Sequence, residues 1–348
     1  MIDERDLDAA TAAGVLDSAQ RERLVQFARD HRRGEAGPDE EQFRLLTGFN
    51  DIFVTIAVGL VLIAVGALAG RVTPGLGAAG VAAASWGLAE YFTRVRRMAL
   101  PSIVLLLTFV GAVMGLIGTV LIGDDFGGRV ESAPFTFIGS VMAIGVGGAL
   151  AAFAHWRRFM VPITIAAGAA SLVLLFVFAG VMLLGAVGIP SEKSLAPLLM
   201  IGGALVFACA MWADARDRAR VTRWSDVAFW LHLLAAPLIV HPVFSLAGLM
   251  NASPGPGAAV AVIAVYALLT IVALAIDRRA LLVSALGYVI YAIQALIGRG
   301  GEFSASFGVT ALLIGAFLVL LSAGWRPIRS RVIALLPASV TGRLPAAA

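Results

Sequence analysis

Two of the four histidines, His232 and His241, lie in a single apolar run that begins at Val227. Imidazole titrates near neutral pH and is cheap to bury while neutral, so a histidine in such a run could relay a proton or hydrogen-bond a substrate. It could equally form an interhelical hydrogen bond that fixes packing. At 1.5 Å per residue, His232 lies roughly 8 Å beyond Val227 and His241 some 13 Å further along. Nine residues turn a regular helix through about 900°, so the two rings point to opposite faces. Pro237, between them, lacks an N–H and should kink the helix, freeing carbonyls that neighbours or water must satisfy. A shared metal or haem would need a large break at that proline, and His155, at the edge of another run, offers no facing ligand. No metal and no cofactor is expected.

A second polar set stands in the run 280–298. Ser284, Tyr288, Tyr291 and Gln294 fall within an arc of about 120° on a helix of 3.6 residues per turn. A polar stripe in an apolar helix should face protein or a watery cavity rather than lipid. With His232 or His241 it could line a path for a proton or for a small polar or aromatic substrate; it could also be interhelical glue.

The remaining charges lie at the ends of apolar runs. Asp51, Asp214, Asp226 and Asp277 sit at the membrane boundary, where water can reach them, and Glu90 precedes Arg94 by four residues, a spacing suited to an ion pair. No phosphate loop, Gly-x-Ser-x-Gly elbow, His-Glu-x-x-His motif or cysteine pair is present. No lone carboxylate stands at mid-membrane, and no run bears an arginine ladder. Cys209, the one cysteine, sits in an apolar run as a small packing residue.

The elements that position these residues are read from composition. Of 348 residues, 60% are apolar and 14% charged, with a mean hydropathy of +0.92. A soluble domain needs a polar exterior and cannot hide so much apolar surface, so the lipid bilayer is the solvent. The fold class is all-α, a polytopic transmembrane helix bundle. About ten spans are expected, near 51–70, 72–92, 100–122, 135–154, 160–188, 198–213, 227–250, 258–276, 280–298 and 304–324. The sixth is short. Residues 1–50 form a cytoplasmic helical hairpin and linker, residues 51–324 the bundle, and residues 325–348 a cytoplasmic tail. No cleavable signal peptide is expected, because residues 1–33 lack a central apolar stretch.

Loop charge orients the bundle. One alternating set carries Arg94, Arg96, Arg97, Arg157, Arg158, Arg216, Arg218, Arg220, Arg223, Arg278 and Arg279; the other carries only Arg71, Arg129, Lys193 and Arg299. Basic loops stay cytoplasmic, which places both termini there. Arginines placed between apolar runs, rather than along one face, are topology signals and not a nucleic-acid groove. A faint repeat, Arg96-Arg97 before Pro101 and Arg157-Arg158 before Pro162, is most simply a good cytoplasmic helix start. The Gly66-x-x-x-Gly70 and Gly111-x-x-x-Gly115 spacings, with Gly145, Gly147 and Gly148, predict close helix approach.

In the hairpin, Glu4 to Ala13 reads as a helix closed by Gly14, and Asp17 with Gln20 as a capping box for a second helix reaching about Arg33. Leu7, Val15, Leu16, Leu24, Phe27 and Ala28 are its candidate seam. About 30 residues cannot bury enough to be stable alone, so residues 1–33 should pack on a protein partner, on a second copy, or on the membrane face.

The Ala13-Gly14-Val15-Leu16 segment followed by Gln20 and Leu24, the run Ser225 to Pro237, the Asp277-Arg278-Arg279-Ala280-Leu281-Leu282 segment and the Leu335-Leu336-Pro337 tail resemble stretches of uncharacterised bacterial predicted membrane proteins. Those proteins carry a multi-span domain of unknown function after a short N-terminal helical module. The resemblance implies a bacterial inner-membrane protein and supplies no activity or site. Two function classes follow from the residues: a carrier or channel for a small molecule lined by spans seven and nine, or a membrane scaffold or sensor whose hairpin binds a partner or oligomerises. A membrane-embedded enzyme is the weaker reading, because no nucleophile or metal constellation appears.

Overall fold

A computed structural model describes residues 4–35, 49–123, 133–217, 220, 222–246, 256–279, 281–282, 286, 290, 305–337 and 341. Among them the chain is helical and contains no strand. It divides into a small compact unit within Met1–Gln42 and a large one from Phe43 to Pro345.

The small unit is a helical hairpin, α1 (Glu4–Ala12) and α2 (Ser18–Glu35). Gly14 takes φ +72°, which costs a residue without Cβ little, and the amide of Val15 closes back on the Ala10 carbonyl at 2.9 Å. The capping box forms in both directions. The Gln20 amide donates to the Asp17 carboxylate at 2.6 Å, and the Asp17 amide donates to Gln20 Oε1 at 2.9 Å. Arg21 ties the helices together through Asp8 at 2.7 Å. The expected apolar seam differs: Leu7 and Leu16 are half-buried, but Val15, Leu24 and Phe27 are exposed.

The large unit comprises α3 (Phe49–Gly70), α4 (Pro74–Ala89), α5 (Ala99–Leu121), α6 (Pro134–Phe159), α7 (Ile163–Ala186), α8 (Ser191–Arg216), α9 (Arg223–Leu246), α10 (Pro256–Ile276), α11 (Ala305–Ala323) and α12 (Trp325–Ala334). Among the described residues six of these, α3 and α5 to α9, are long and apolar enough to cross a membrane. The expected ten is not reached among the described residues. At the second expected span α4 is α-helical for 16 residues and continues as a π-helical turn over Glu90–Val95. In the eighth, the stretch whose side chains are described is only Ala264–Ile276, and most of 280–298 lies outside the described residues. The expected short sixth span is instead 26 residues long, since its first turn is polar (Ser191, Glu192, Lys193) and escapes an apolar-run reading.

Consecutive helices pack as neighbours, α3 on α4, α4 on α5, and α6 through α9 in sequence. Small residues set the closest approaches: a Cβ at Gly77 would stand 3.0 Å from both the Gly66 carbonyl oxygen and Gly70 Cα. The Gly111 and Gly115 pair makes no such approach, and both face open space. The centre of the bundle is α9, half of whose apolar stretch is buried against 11% for α3. Its Val227, Ala228, Leu231 and Ala235 join one apolar core with α7 and α8, while Ala236, Val240 and Phe244 join another with α10, α11 and α12. Leu60, Ile63, Leu150 and Leu183 lie on the outside, the surface a hydrocarbon solvent accepts.

Candidate functional site

Helix α9 runs unbroken from Arg223 to Leu246 through Pro237 and Pro242. The rotation between its histidines is therefore that of a regular helix: His232 is wholly buried and His241 is exposed. They do not share a site. The other four candidate path residues, Ser284, Tyr288, Tyr291 and Gln294, lie outside the described residues.

What surrounds His232 is a buried ionic cluster where the ends of α8, α9, α10 and α12 meet. Asp214, two residues before the end of α8, is 5% exposed, and Arg278, just past α10, is 1% exposed. Arg278 grips Asp214 with two nitrogens, Nε at 3.3 Å from Oδ2 and Nη2 on Oδ1. The same Nη2 reaches the Ser225 carbonyl at 3.3 Å, stitching the start of α9 to the pair. Next in the chain, Asp277 takes φ +56°, a conformation that L residues seldom adopt, and ends α10 there. Its carboxylate accepts from Arg220 Nη1 at 2.8 Å and from Trp325 Nε1 at 2.8 Å, with Arg329 Nε 3.6 Å away. Arg220 also covers the Asp277 carbonyl at 3.0 Å. Buried charges persist only when paired and hydrogen-bonded, and both carboxylates meet that condition. Asp214 and Asp277 were expected at a watery boundary; tertiary packing buries them instead, since four helix ends close over them.

His232 stands at the inner edge of this cluster. Its Nδ1 lies 2.8 Å from the Ala228 carbonyl, which fixes that nitrogen as the N–H donor, and 3.7 Å from Asp214 Oδ2. Nε2, then an acceptor, is buried and has no hydrogen-bond partner among the described residues. The Phe207 ring sits edge-on at 5.4 Å. The Tyr266 hydroxyl on α10 is likewise buried and without a partner there. Chemically, the arrangement offers one proton acceptor beside a carboxylate whose charge is already held by a guanidinium.

His155, expected at an edge, is wholly buried as well. Thr164 Oγ1 lies 3.3 Å from its Nδ1, and the rings of Trp86, Phe109 and Phe159 enclose it at 4.6–6.2 Å. Glu90 does pair with Arg94, at 3.3 Å, and more tightly with Arg158, whose Nε and Nη2 lie 2.7 and 2.9 Å from its two oxygens. Among the described residues no group of three or more His, Cys, Asp or Glu side chains is placed to hold a metal ion. Sequence reasoning missed Arg220, Arg278, Arg329 and Trp325 as cluster members. Each reads as a loop or tail residue, and the one signal was the Asp277-Arg278 adjacency after an apolar run.

Six membrane-length helices suggest a polytopic membrane protein in contact with lipid. Comparison with known proteins adds no relative: no family model, curated protein or solved structure matches the chain.

Proposed function

We propose that the chain is a carrier for a small molecule, in which His232 and the Asp214–Arg278 pair form the element that responds to a proton or a substrate, and spans seven and nine line the path. The observation that carries the reading is the buried His232 Nε2, without a hydrogen-bond partner among the described residues, beside that ion pair. A buried acceptor without a partner costs about 1–3 kcal/mol, and ionisable groups within a bundle are retained for function more often than for packing. A proton on Nε2 makes His232 a cation 3.7 Å from Asp214, where it competes with Arg278 for the carboxylate and loosens the end of α10 from α8. The resemblance to bacterial membrane proteins and the positive-inside rule support a bacterial inner membrane with the arginine-rich loops and both termini cytoplasmic.

The test is water access. In a Cys209→Ser background, single cysteines at His232, Tyr288 and Tyr291 are exposed to a membrane-impermeant thiol reagent in sealed vesicles. A carrier labels at these depths from at least one side. Thiols that react only after unfolding would make the cluster packing alone and end the proposal.

A scaffold or sensor is the second reading, favoured by one observation: in the hairpin, Val15 and Phe27 are 73% and 65% exposed, an apolar surface suited to a protein partner or a second copy. It predicts that deleting residues 1–33 abolishes function while His232→Ala is silent; the carrier reading predicts the reverse.

A further inference from the structure

An apolar groove of about 430 Å³ opens between α6, α7, α8 and α9, walled by Phe153, Trp156, Leu172, Trp212, Trp224 and Leu231. It runs out onto the exposed surface, since Phe153, Leu172 and Trp212 are all more than half exposed. At its arginine-rich end two guanidiniums lie on the rings that form its walls. Arg216 Cζ stands 3.7 Å from the Trp212 ring centre and 5.4 Å from that of Trp224, and Arg157 Cζ stands 5.8 Å from that of Phe153. Neither arginine has a carboxylate partner among the described residues, unlike Arg220 and Arg278 nearby. A guanidinium stacked on an aromatic face keeps its N–H edge free and pre-aimed, the geometry that binds a phosphate bidentately.

We propose that this groove is a binding site for an anionic phospholipid, with an acyl chain along the apolar walls and the headgroup phosphate between Arg157 and Arg216. Charge complementarity selects that occupant. A zwitterionic lipid would fill the groove equally well but leave the two guanidiniums without a net counter-charge. A basic residue near an anionic membrane surface contributes about fivefold in affinity, so the pair contributes about 25-fold. The lipid here is a bound component and does not depend on the carrier reading.

Cys209 lines the groove, is exposed, and is the one thiol in the chain, so its reactivity reports occupancy. The full-length protein in nanodiscs of phosphatidylcholine, with or without phosphatidylglycerol, is reacted with N-ethylmaleimide. Phosphatidylglycerol slows Cys209 modification several-fold, and the protection fades as ionic strength rises. Arg157→Gln with Arg216→Gln removes it, whereas Arg157→Lys with Arg216→Lys retains part of it. Leu172→Trp, which fills the groove from an exposed position, slows modification in both lipids and abolishes the difference between them. Equal rates for the wild type in both lipids, or protection that survives the double glutamine substitution or high salt, would overturn the proposal. So would a Cys209 protected in every lipid and in detergent alike, which would mean that protein covers the groove.

Discussion

Asp214→Asn tests the buried cluster most directly. The substitution keeps the shape of the side chain and removes its charge, leaving Arg278, 1% exposed, with Ser225 as a neutral partner. Removing one member of a buried ion pair costs about 3–5 kcal/mol, because the other charge stays desolvated. The retained amide oxygen still accepts one hydrogen bond, which places Asp214→Asn near the lower end, about 3 kcal/mol. At about 2.1 cal/mol/K of unfolding entropy per residue, a chain of 348 residues shifts by roughly 1.4 °C per kcal/mol, so the unfolding midpoint drops by about 4 °C. Tryptophan fluorescence during heating in detergent reads the transition, with Trp325 inside the cluster as a native reporter. The double-mutant cycle supplies the control. Arg278→Gln alone should cost a similar amount, and the two together less than their sum, since no unpaired charge remains. A midpoint within about 0.7 °C of the wild type for Asp214→Asn, a difference of roughly 0.5 kcal/mol, would refute the reasoning, and so would strict additivity.

Two further outcomes follow from the same geometry. Trp325→Phe replaces the indole donor to Asp277 Oδ1 by a smaller phenyl ring and loses at least about 1.5–3 kcal/mol, the value of a hydrogen bond to a charged group, in melting followed by circular dichroism. Gly77→Leu drives a side chain into the Gly66 carbonyl and Gly70 backbone, lowering stability by about 1–3 kcal/mol, whereas Gly111→Ala meets open space and leaves the midpoint unchanged or gains about 0.5–1 kcal/mol from helix propensity; a neutral Gly77→Leu would show that α3 and α4 do not approach there.

The bundle was legible where the signal is local. The third, fifth and seventh expected spans, near 100–122, 160–188 and 227–250, correspond to α5 at Ala99–Leu121, α7 at Ile163–Ala186 and α9 at Arg223–Leu246, because the length of an apolar run is set by the hydrocarbon thickness. The Asp17–Gln20 capping box and the Gly14 turn were equally readable, as they depend on residues within a few positions of each other. The opposite faces of His232 and His241 followed from helical rotation alone.

The sequence by itself determined a helical chain with the apolar composition of a membrane protein and the places of several of its long apolar helices. Only the tertiary structure decided which of its arginines stay exposed and which are buried counter-ions. Arg278 and Arg279 are adjacent and identical in type, yet one is held by Asp214, 64 residues away, and the other lies 4.9 Å over Trp325, exposed. Hydropathy sums over neighbours in the chain, whereas an ion pair depends on distance in space, and four helix ends must converge before Asp214 and Asp277 leave water. The burial of His232 beside that pair follows from the same convergence.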